Sequence, residues 1–193
     1  MRGFMNPLFS MSTPLQSTLF SANNSYIKQL LIVLAGAILL AIASQISIPL
    51  QPIPLTFQSA TVAFIGMALG ARKGTYAVAA YLMAGFCGMP VFANFAFGPS
   101  ALFGPSAGFL FGFLPGAFVA GYLAESGFAR HRIASFVAAL AAVSCIFGLG
   151  VAVLATTVGW HNAVTFGLMP FIGSEPFKLL AVAFVAPRFW KKN

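Results

Sequence analysis

The positively charged residues of this chain lie in four short groups separated by long apolar stretches. Nine of the ten lysines and arginines belong to them: Arg2 and Lys28; Arg72 and Lys73; Arg130 and Arg132; Arg188, Lys191 and Lys192. Between successive groups lie about 43, 56 and 55 residues, each long enough for a pair of membrane-crossing helices. Because loops rich in Lys and Arg stay in the cytoplasm, the spacing predicts six transmembrane helices with both termini inside.

The composition also requires a membrane. Only 6% of the residues are charged, against about a quarter in soluble proteins, and 60% are hydrophobic. So many apolar side chains exceed what one core can bury, so they must face lipid. The net charge of +8 does not indicate a nucleic-acid partner, because the basic residues are not gathered on one soluble face. The sequence predicts an all-α integral protein that crosses the cell's inner (plasma) membrane several times.

The expected organisation is one domain with a tail. Residues 1–27, rich in Ser, Thr and Asn, are predicted to form a polar cytoplasmic tail, and residues 28–193 a single domain of six transmembrane helices. The predicted helices cover about residues 29–48, 55–69, 75–88, 107–123, 133–158 and 173–189. The outer loops then fall at 49–54, 89–106 and 159–169, and none contains Lys or Arg. Several prolines in the first of these loops end the first helix.

Signatures of catalysis are absent from the sequence. The nearest match to a phosphate-binding loop, residues 66–75, has the wrong spacing and is expected to break at Gly74. Cys87 and Cys145 lie in apolar segments and are interpreted as small core residues. No His or Cys cluster has metal-ligand spacing. The sequence therefore predicts no metal, no cofactor and no enzymatic activity.

Two charged residues do not follow the charge pattern and form a candidate site. The chain has only two acidic residues, Glu125 and Glu175. The position of Glu125 is explained by the nearby basic residues at 130 and 132, whereas Glu175 has no such neighbours in the sequence. Lys178 is the one basic residue that lies outside the four groups. An ionisable side chain inside a membrane segment costs several kcal/mol unless paired or hydrated, which favours a functional role. The three-residue spacing places both on one helix face. Pro176 predicts the first helical turn, with Ser174 or Glu175 as its cap. The alternative is an ion pair at the outer membrane rim that binds no ligand.

Polar residues at the outer helix ends are further candidates. Asn94 lies between aromatic residues, and its amide can both donate and accept hydrogen bonds to a small polar ligand. Thr56 and Gln58 begin the second predicted helix, and Gln45 lies near the outer end of the first. Each of these residues also has a possible structural role that involves no ligand. Asn94 is typical of a turn, and the other three can bond backbone groups that the prolines leave free.

Three segments together resemble the BioY family, the biotin-specific S components of energy-coupling-factor (ECF) transporters. Residues 48–58 (IPLQPIPLTFQ) are similar to that family's Pro-x-Thr-x-Gln segment, residues 88–93 (GMPVFA) to Gly-Leu-Pro-Val-Phe-Ala, and residues 104–109 (GPSAGF) to Gly-Pro-Thr-Gly-Gly-Tyr. Each segment is weak alone. Their order and spacing within a six-helix length make the combination specific, and the resemblance covers about residues 30–189.

The resemblance implies an S-component-like bundle that binds biotin from the outer side, with loops 49–54 and 89–106 closing over the site. The ureido ring of biotin would meet the charged and amide side chains, and its thioether ring and valeryl chain would meet aromatic walls. The expected site residues are Glu175, Lys178, Asn94, Gln58, Thr56, Phe92, Phe95 and Phe109.

The resemblance also implies partners, namely a transmembrane coupling protein with two ATP-binding-cassette ATPases. Ala37 and Ala41 of the first helix resemble the Ala-x-x-x-Ala motif that docks on the coupling protein. By spacing alone, the same pair is expected to pack against another helix of this chain.

The sequence departs from the family pattern at two positions. Glu175, followed by Pro176, stands where the family usually has Asp, and Phe109 stands where Tyr is common. Glutamate retains the charge but is one methylene longer, and phenylalanine lacks the hydroxyl. The alternatives are an S component or carrier for another vitamin or small carboxylate, or a non-transporting membrane scaffold. An enzyme using Glu175 as acid or base is disfavoured, because Lys178 is the only titratable group predicted beside it.

Overall fold

The computed structural model describes residues 26–190, and most of them are helical. The helices are α1 (Tyr26–Gln45), α2 (Gln58–Leu69), α3 (Ala71–Phe86), α4 (Gly98–Leu102), α5 (Ala107–Glu125), α6 (Arg132–Val158), α7 (Trp160–Gly167) and α8 (Met169–Val185). Single turns of 3-10 helix cover Ala93–Phe95, Phe128–Arg130 and Ala186–Phe189. Four segments in this part of the chain are long and apolar enough to cross a membrane, namely α1, α5, α6 and the stretch Trp160–Phe189. The predicted all-helical membrane fold is confirmed, whereas the six-helix count and the orientation remain predictions.

The structure describes only the last two residues of the predicted N-terminal tail. Nearly all of residues 1–27, together with Arg2, Lys191 and Lys192, lie outside the described residues. Tyr26 already belongs to α1, so the first helix begins a few residues earlier than predicted.

The junction of α2 and α3 differs from the prediction. Gly70, with φ +82°, separates the two helices, and α3 begins directly at Ala71. Gly74 lies inside α3, so the predicted break there is wrong. The reason is packing, since a Cβ on Gly74 would lie 2.8 Å from the Cα of Gly66. Glu125 Oε1 accepts the backbone N–H of Ala71 at 2.9 Å, so this carboxylate satisfies the first donor of α3 rather than serving only the basic residues at 130 and 132.

The outer loops contain ordered structure. Residues 47–56 form a short hairpin in which β1 (Ser47–Ile48) pairs antiparallel with β2 (Leu55–Thr56), with Ser47 opposite Thr56. The loop predicted at 89–106 contains the 3-10 turn at Ala93–Phe95 and the helix α4. Both segments lie at the ends of spanning helices, where they bound the site described below.

Small residues bring the helices together around α5. A Cβ on Gly108 would lie 2.6 Å from the carbonyl oxygen of Leu149 in α6, and a Cβ on Gly112 would lie 3.0 Å from the Cα of Ile146. On another side of α5, a Cβ on Gly66 of α2 would lie 2.3 Å from the carbonyl oxygen of Ala117. The glycines of α5, spaced four residues apart, thus allow close packing within the chain.

The described basic residues outside α8 lie at one end of the bundle. They lie at the starts of α1, α3 and α6, and Arg188 follows α8. Contacts between the elements establish this common end. Trp190 Nε1 donates to the carbonyl of Met67 near the end of α2 at 2.9 Å, and the guanidinium carbon of Arg132 lies 4.7 Å from the ring centre of Phe184.

We expect Gly66→Ala to lower the stability of the detergent-solubilised protein by about 1 to 3 kcal/mol, because the new methyl group would overlap the backbone of α5. The matched control is Gly148→Ala in α6, where nothing lies within 4 Å of the added Cβ. That change should leave stability unchanged or raise it slightly, through helix propensity. Thermal unfolding midpoints measure both effects. Equal midpoints for the two variants would contradict this account of packing around α5.

Candidate ligand-binding site

A cavity of about 290 Å³ lies at the end of the bundle opposite the basic residues. Its walls come from the hairpin loop at 50–54, the start of α2, the turn after α3, the connection from α4 to α5, and inward faces of α5, α6 and α8. The volume is near the lower end of the range for small-molecule sites, about 300 to 1,000 Å³. The lining residues lie far apart in the sequence, between Leu50 and Phe171, so the tertiary fold creates the site.

One wall of the cavity is aromatic. Phe109 of α5, Phe147 of α6 and Phe171 of α8 all line it. The rings of Phe109 and Phe147 meet edge to face with centres 5.6 Å apart, and those of Phe147 and Phe171 lie 5.0 Å apart. Such contacts hold the rings in fixed orientations. The prediction included Phe109 but missed the other two, because nothing in the sequence distinguishes them among 22 phenylalanines.

A buried hydrogen-bond chain forms a second, polar wall of the cavity. Thr56 Oγ1 donates to Gln58 Oε1 at 2.9 Å, and Gln58 Nε2 donates to the hydroxyl of Tyr81 at 2.6 Å. Tyr81 is 1% exposed, so its hydroxyl has no access to bulk water. Thr56 and Gln58 line the cavity with their amide and hydroxyl orientations set by these bonds.

The ion pair of α8 lies directly behind this polar wall. Glu175 and Lys178 are each 6% exposed and contact each other, and neither is among the residues lining the cavity. Ser59 Oγ lies 2.9 Å from both carboxylate oxygens of Glu175, and Lys178 Nζ donates to the carbonyl of Thr56 at 2.8 Å. Every charged atom of the pair thus has a partner on α2 or on the strand before it. This burial is incompatible with an exposed pair at the membrane rim.

The start of α8 corrects one sequence-based interpretation. The helix begins at Met169 with Pro170 in its first turn, so Pro176 lies inside the helix and neither Ser174 nor Glu175 is the cap. The rule that proline favours a first turn applies equally to Pro170, which the prediction overlooked. Glu175 therefore lies well inside the helix.

The turn after α3 is tied to α1 and the hairpin. Gln45 Nε2 donates to the carbonyl of Phe92 at 3.0 Å, and Gln45 Oε1 accepts the backbone N–H of Phe95 at 3.1 Å. Asn94 has φ 57°, and its Oδ1 accepts a hydrogen bond from Ser47 at 3.1 Å. Asn94 is therefore both a turn residue and part of the cavity lining.

The structure brings most of the predicted site residues together. Five of them line the cavity: Thr56, Gln58, Phe92, Asn94 and Phe109. Glu175 and Lys178 form the layer behind it, whereas Phe95 is 66% exposed and lies outside the lining. Ser59 and Tyr81 were missed. Their only sequence signal is a hydroxyl group within a largely apolar helix.

The lining side chains can bind a small ligand through hydrogen bonds and apolar contacts. Within residues 26–190, no group of three or more His, Cys, Asp or Glu side chains could hold a metal ion. Fixed hydrogen-bonding groups on one wall and aromatic rings on the other suit a small ligand with a polar head and an apolar body.

Comparison with solved structures identifies the fold. The chain superposes with a TM-score of 0.78 on the crystal structure of the S-component for biotin from an ECF-type ABC transporter, covering 88% of this chain and 94% of the other at 22% identity. It therefore has the fold of a transporter S-component.

Sequence comparisons then give the family. The BioY family model matches residues 11–193, and the chain belongs to the BioY family. The chain is 41% identical over 155 residues to the biotin transporter BioY of Thermotoga maritima, covering 79% of this chain and 90% of that protein. It is 32% identical to the biotin transporter BioY2 of Lactococcus lactis, covering 82% and 88% of the two chains. The resemblance drawn from three sequence segments is confirmed.

We expect Ser59→Ala to destabilise the protein by about 1 to 3 kcal/mol, because the buried Glu175 carboxylate loses a hydrogen-bond donor. Ser106→Ala is the matched control, since Ser106 lines the same cavity and its hydroxyl does not cap α5. Thermal unfolding of the two purified variants compares them. If Ser59→Ala were as stable as the control, the carboxylate would not depend on this serine.

Proposed function

We propose that this chain is the biotin-binding component of a membrane transporter and takes biotin into the cavity from the outer face of the plasma membrane. One observation carries the proposal: all three family-like segments, 48–58, 88–93 and 104–109, contribute residues to the lining of one cavity. They are far apart in the sequence, and only the fold brings them to the same place. The relatives at 41% and 32% identity are themselves named biotin transporters. The family is one of transport proteins, so the chain is not an enzyme.

The ureido ring of biotin fits the polar wall. Ser59 donates its hydroxyl proton to Glu175, so its oxygen lone pairs can accept an N–H from a ligand in the cavity. Gln58 and Asn94 supply further amide donors and acceptors at the same cavity. The ion pair then acts on the ligand mainly by setting the direction of the Ser59 hydroxyl. The thioether ring and valeryl chain would lie against the aromatic wall that includes Phe109.

The proposed topology has six crossings with both termini in the cytoplasm. The crossings would be α1, α2, α3, α5, α6 and the continuous stretch of α7 and α8. The gathering of the basic residues of α1, α3 and α6 at one end supports this orientation. The cavity, at the other end, then opens toward the outside.

An ECF coupling protein with its ATPases is the proposed partner, although the chain could also work alone. Ala37 and Ala41 of α1 are partly buried against the core, and their neighbours Leu34, Ile38 and Ile42 are exposed. A small-residue strip beside an exposed apolar face would let another helix approach closely.

We expect wild-type protein in detergent to bind labelled biotin saturably, and Glu175→Gln to weaken that binding tenfold or more, about 1.4 kcal/mol. Lys178→Met should weaken it similarly, but it leaves a buried carboxylate without its cation and costs stability. The double variant removes both charges and avoids this penalty, so its affinity tests the pair without misfolding. Phe95→Ala is the control and should change affinity less than twofold, because Phe95 lies outside the cavity.

The outcome of this experiment separates the alternatives. A scaffold would bind no biotin, and a carrier for another vitamin would release labelled biotin when that vitamin is added. A folded double variant with unchanged affinity would remove the ion pair from the site and leave Gln58, Asn94 and Ser59 as the ligand contacts.

We expect Ala37→Leu and Ala41→Leu to lower ATP-dependent biotin uptake in cells that contain a coupling module, while biotin binding to the purified protein stays intact. A larger side chain would hold a docked helix away from α1. Ile38→Leu is the control, because Ile38 is 59% exposed on the same helix and the change conserves volume. Loss of binding in the alanine variants would mean that this strip serves packing inside the chain instead.

A further inference from the structure

A second cavity lies at the basic end of the bundle, far from the proposed biotin site. It has a volume of about 600 Å³ and is lined by the start of α6 and the end of α8. Its walls are Arg130, His131, Arg132, Phe184, Pro187, Arg188 and Trp190. Three of these are arginines, and none of the described residues lining the cavity is acidic.

The charges and the apolar surface meet in this cavity. The guanidinium carbon of Arg132 lies 4.7 Å above the ring centre of Phe184, which fixes a positive charge against an aromatic face. Trp190 is 4% exposed, and its indole N–H donates to the carbonyl of Met67, so the floor of the cavity is tied to α2. Guanidinium groups bind phosphate oxygens in a bidentate manner.

An exposed apolar strip leads away from the arginines along α8. Phe177, Leu180 and Phe184 follow one another at three- and four-residue spacing and therefore lie on one helix face. They are 75%, 45% and 53% exposed. A ligand that fits both features has an anionic head and a long apolar body that reaches about two helical turns into the membrane.

We propose that this cavity binds the phosphate headgroup of an anionic phospholipid of the cytoplasmic leaflet, with an acyl chain along the strip of Phe177, Leu180 and Phe184. The proposal goes beyond biotin binding and uses only the inferred orientation, in which the basic end faces the cytoplasm. Anionic lipids are abundant in that leaflet and are attracted to clusters of basic residues. The bound lipid would join the start of α6 to the end of α8.

Native mass spectrometry of the delipidated full-length protein tests the proposal with three probes: phosphatidylglycerol, phosphatidylcholine and inorganic phosphate. We expect the protein to retain phosphatidylglycerol and to bind the other two at least tenfold more weakly. The double change Arg132→Gln and Arg188→Gln should weaken phosphatidylglycerol binding about thirtyfold, since each basic residue near an anionic lipid contributes about 1 kcal/mol. Both side chains are exposed, so the variant should fold, and size-exclusion elution verifies this.

The matched control removes two positive charges at the same end but outside the cavity. Arg72→Gln with Lys73→Gln should keep the affinity for phosphatidylglycerol within about threefold, which would support a defined site. An equal loss in both double variants would mean general attraction to a basic surface and overturn the proposal. Equally strong binding of inorganic phosphate would mean that the cavity binds a free anion, and would overturn the proposal. Failure to retain phosphatidylglycerol would also overturn it and would favour an acidic protein segment as the ligand. Biotin binding, measured in parallel, reports separately on the other end of the molecule.

Discussion

The buried contact between α8 and the start of α2 holds the binding end of this protein together. Within a membrane, an ionisable side chain is tolerated only when its charge is paired and its remaining hydrogen-bonding groups are satisfied. Glu175 and Lys178 meet this condition through each other, the Ser59 hydroxyl and the Thr56 carbonyl. Because these partners begin the polar wall of the cavity, the same bonds that make the pair tolerable also fix the position of that wall.

Close helix packing makes such a contact possible. Lipid tails are as apolar as the helix surfaces, so helices in a membrane associate through tight packing and hydrogen bonds rather than through the hydrophobic effect. In this chain the glycines of α5 and Gly66 of α2 bring backbones into direct contact. At the end opposite the basic residues the helices leave a cavity, and Phe109, Phe147 and Phe171 line it.

The two ends of the bundle differ in chemistry. One end carries the neutral hydrogen-bonding cavity beside the proline-rich hairpin, and the other carries Arg130, Arg132 and Arg188. This division fits a protein that selects a small molecule on one face of a membrane and contacts anionic lipid on the other. The turn beside the cavity is hydrogen-bonded to α1 and to the hairpin, so these segments form one connected rim.

The amino-acid sequence by itself determined the membrane class and the family, and five of the predicted site residues line the cavity. A membrane requires long apolar segments and keeps positively charged loops on its cytoplasmic side, so both patterns can be interpreted without coordinates. The three family-like segments indicate the class of ligand. Only the tertiary structure decided that the ion pair lies behind the wall, that Phe95 points away, and that Ser59, Tyr81, Phe147 and Phe171 take part. It also corrected the helix start at Met169 and the supposed break at Gly74. These features depend on which faces of distant helices meet, and that is set by contacts between α2, α5, α6 and α8 that no local pattern encodes.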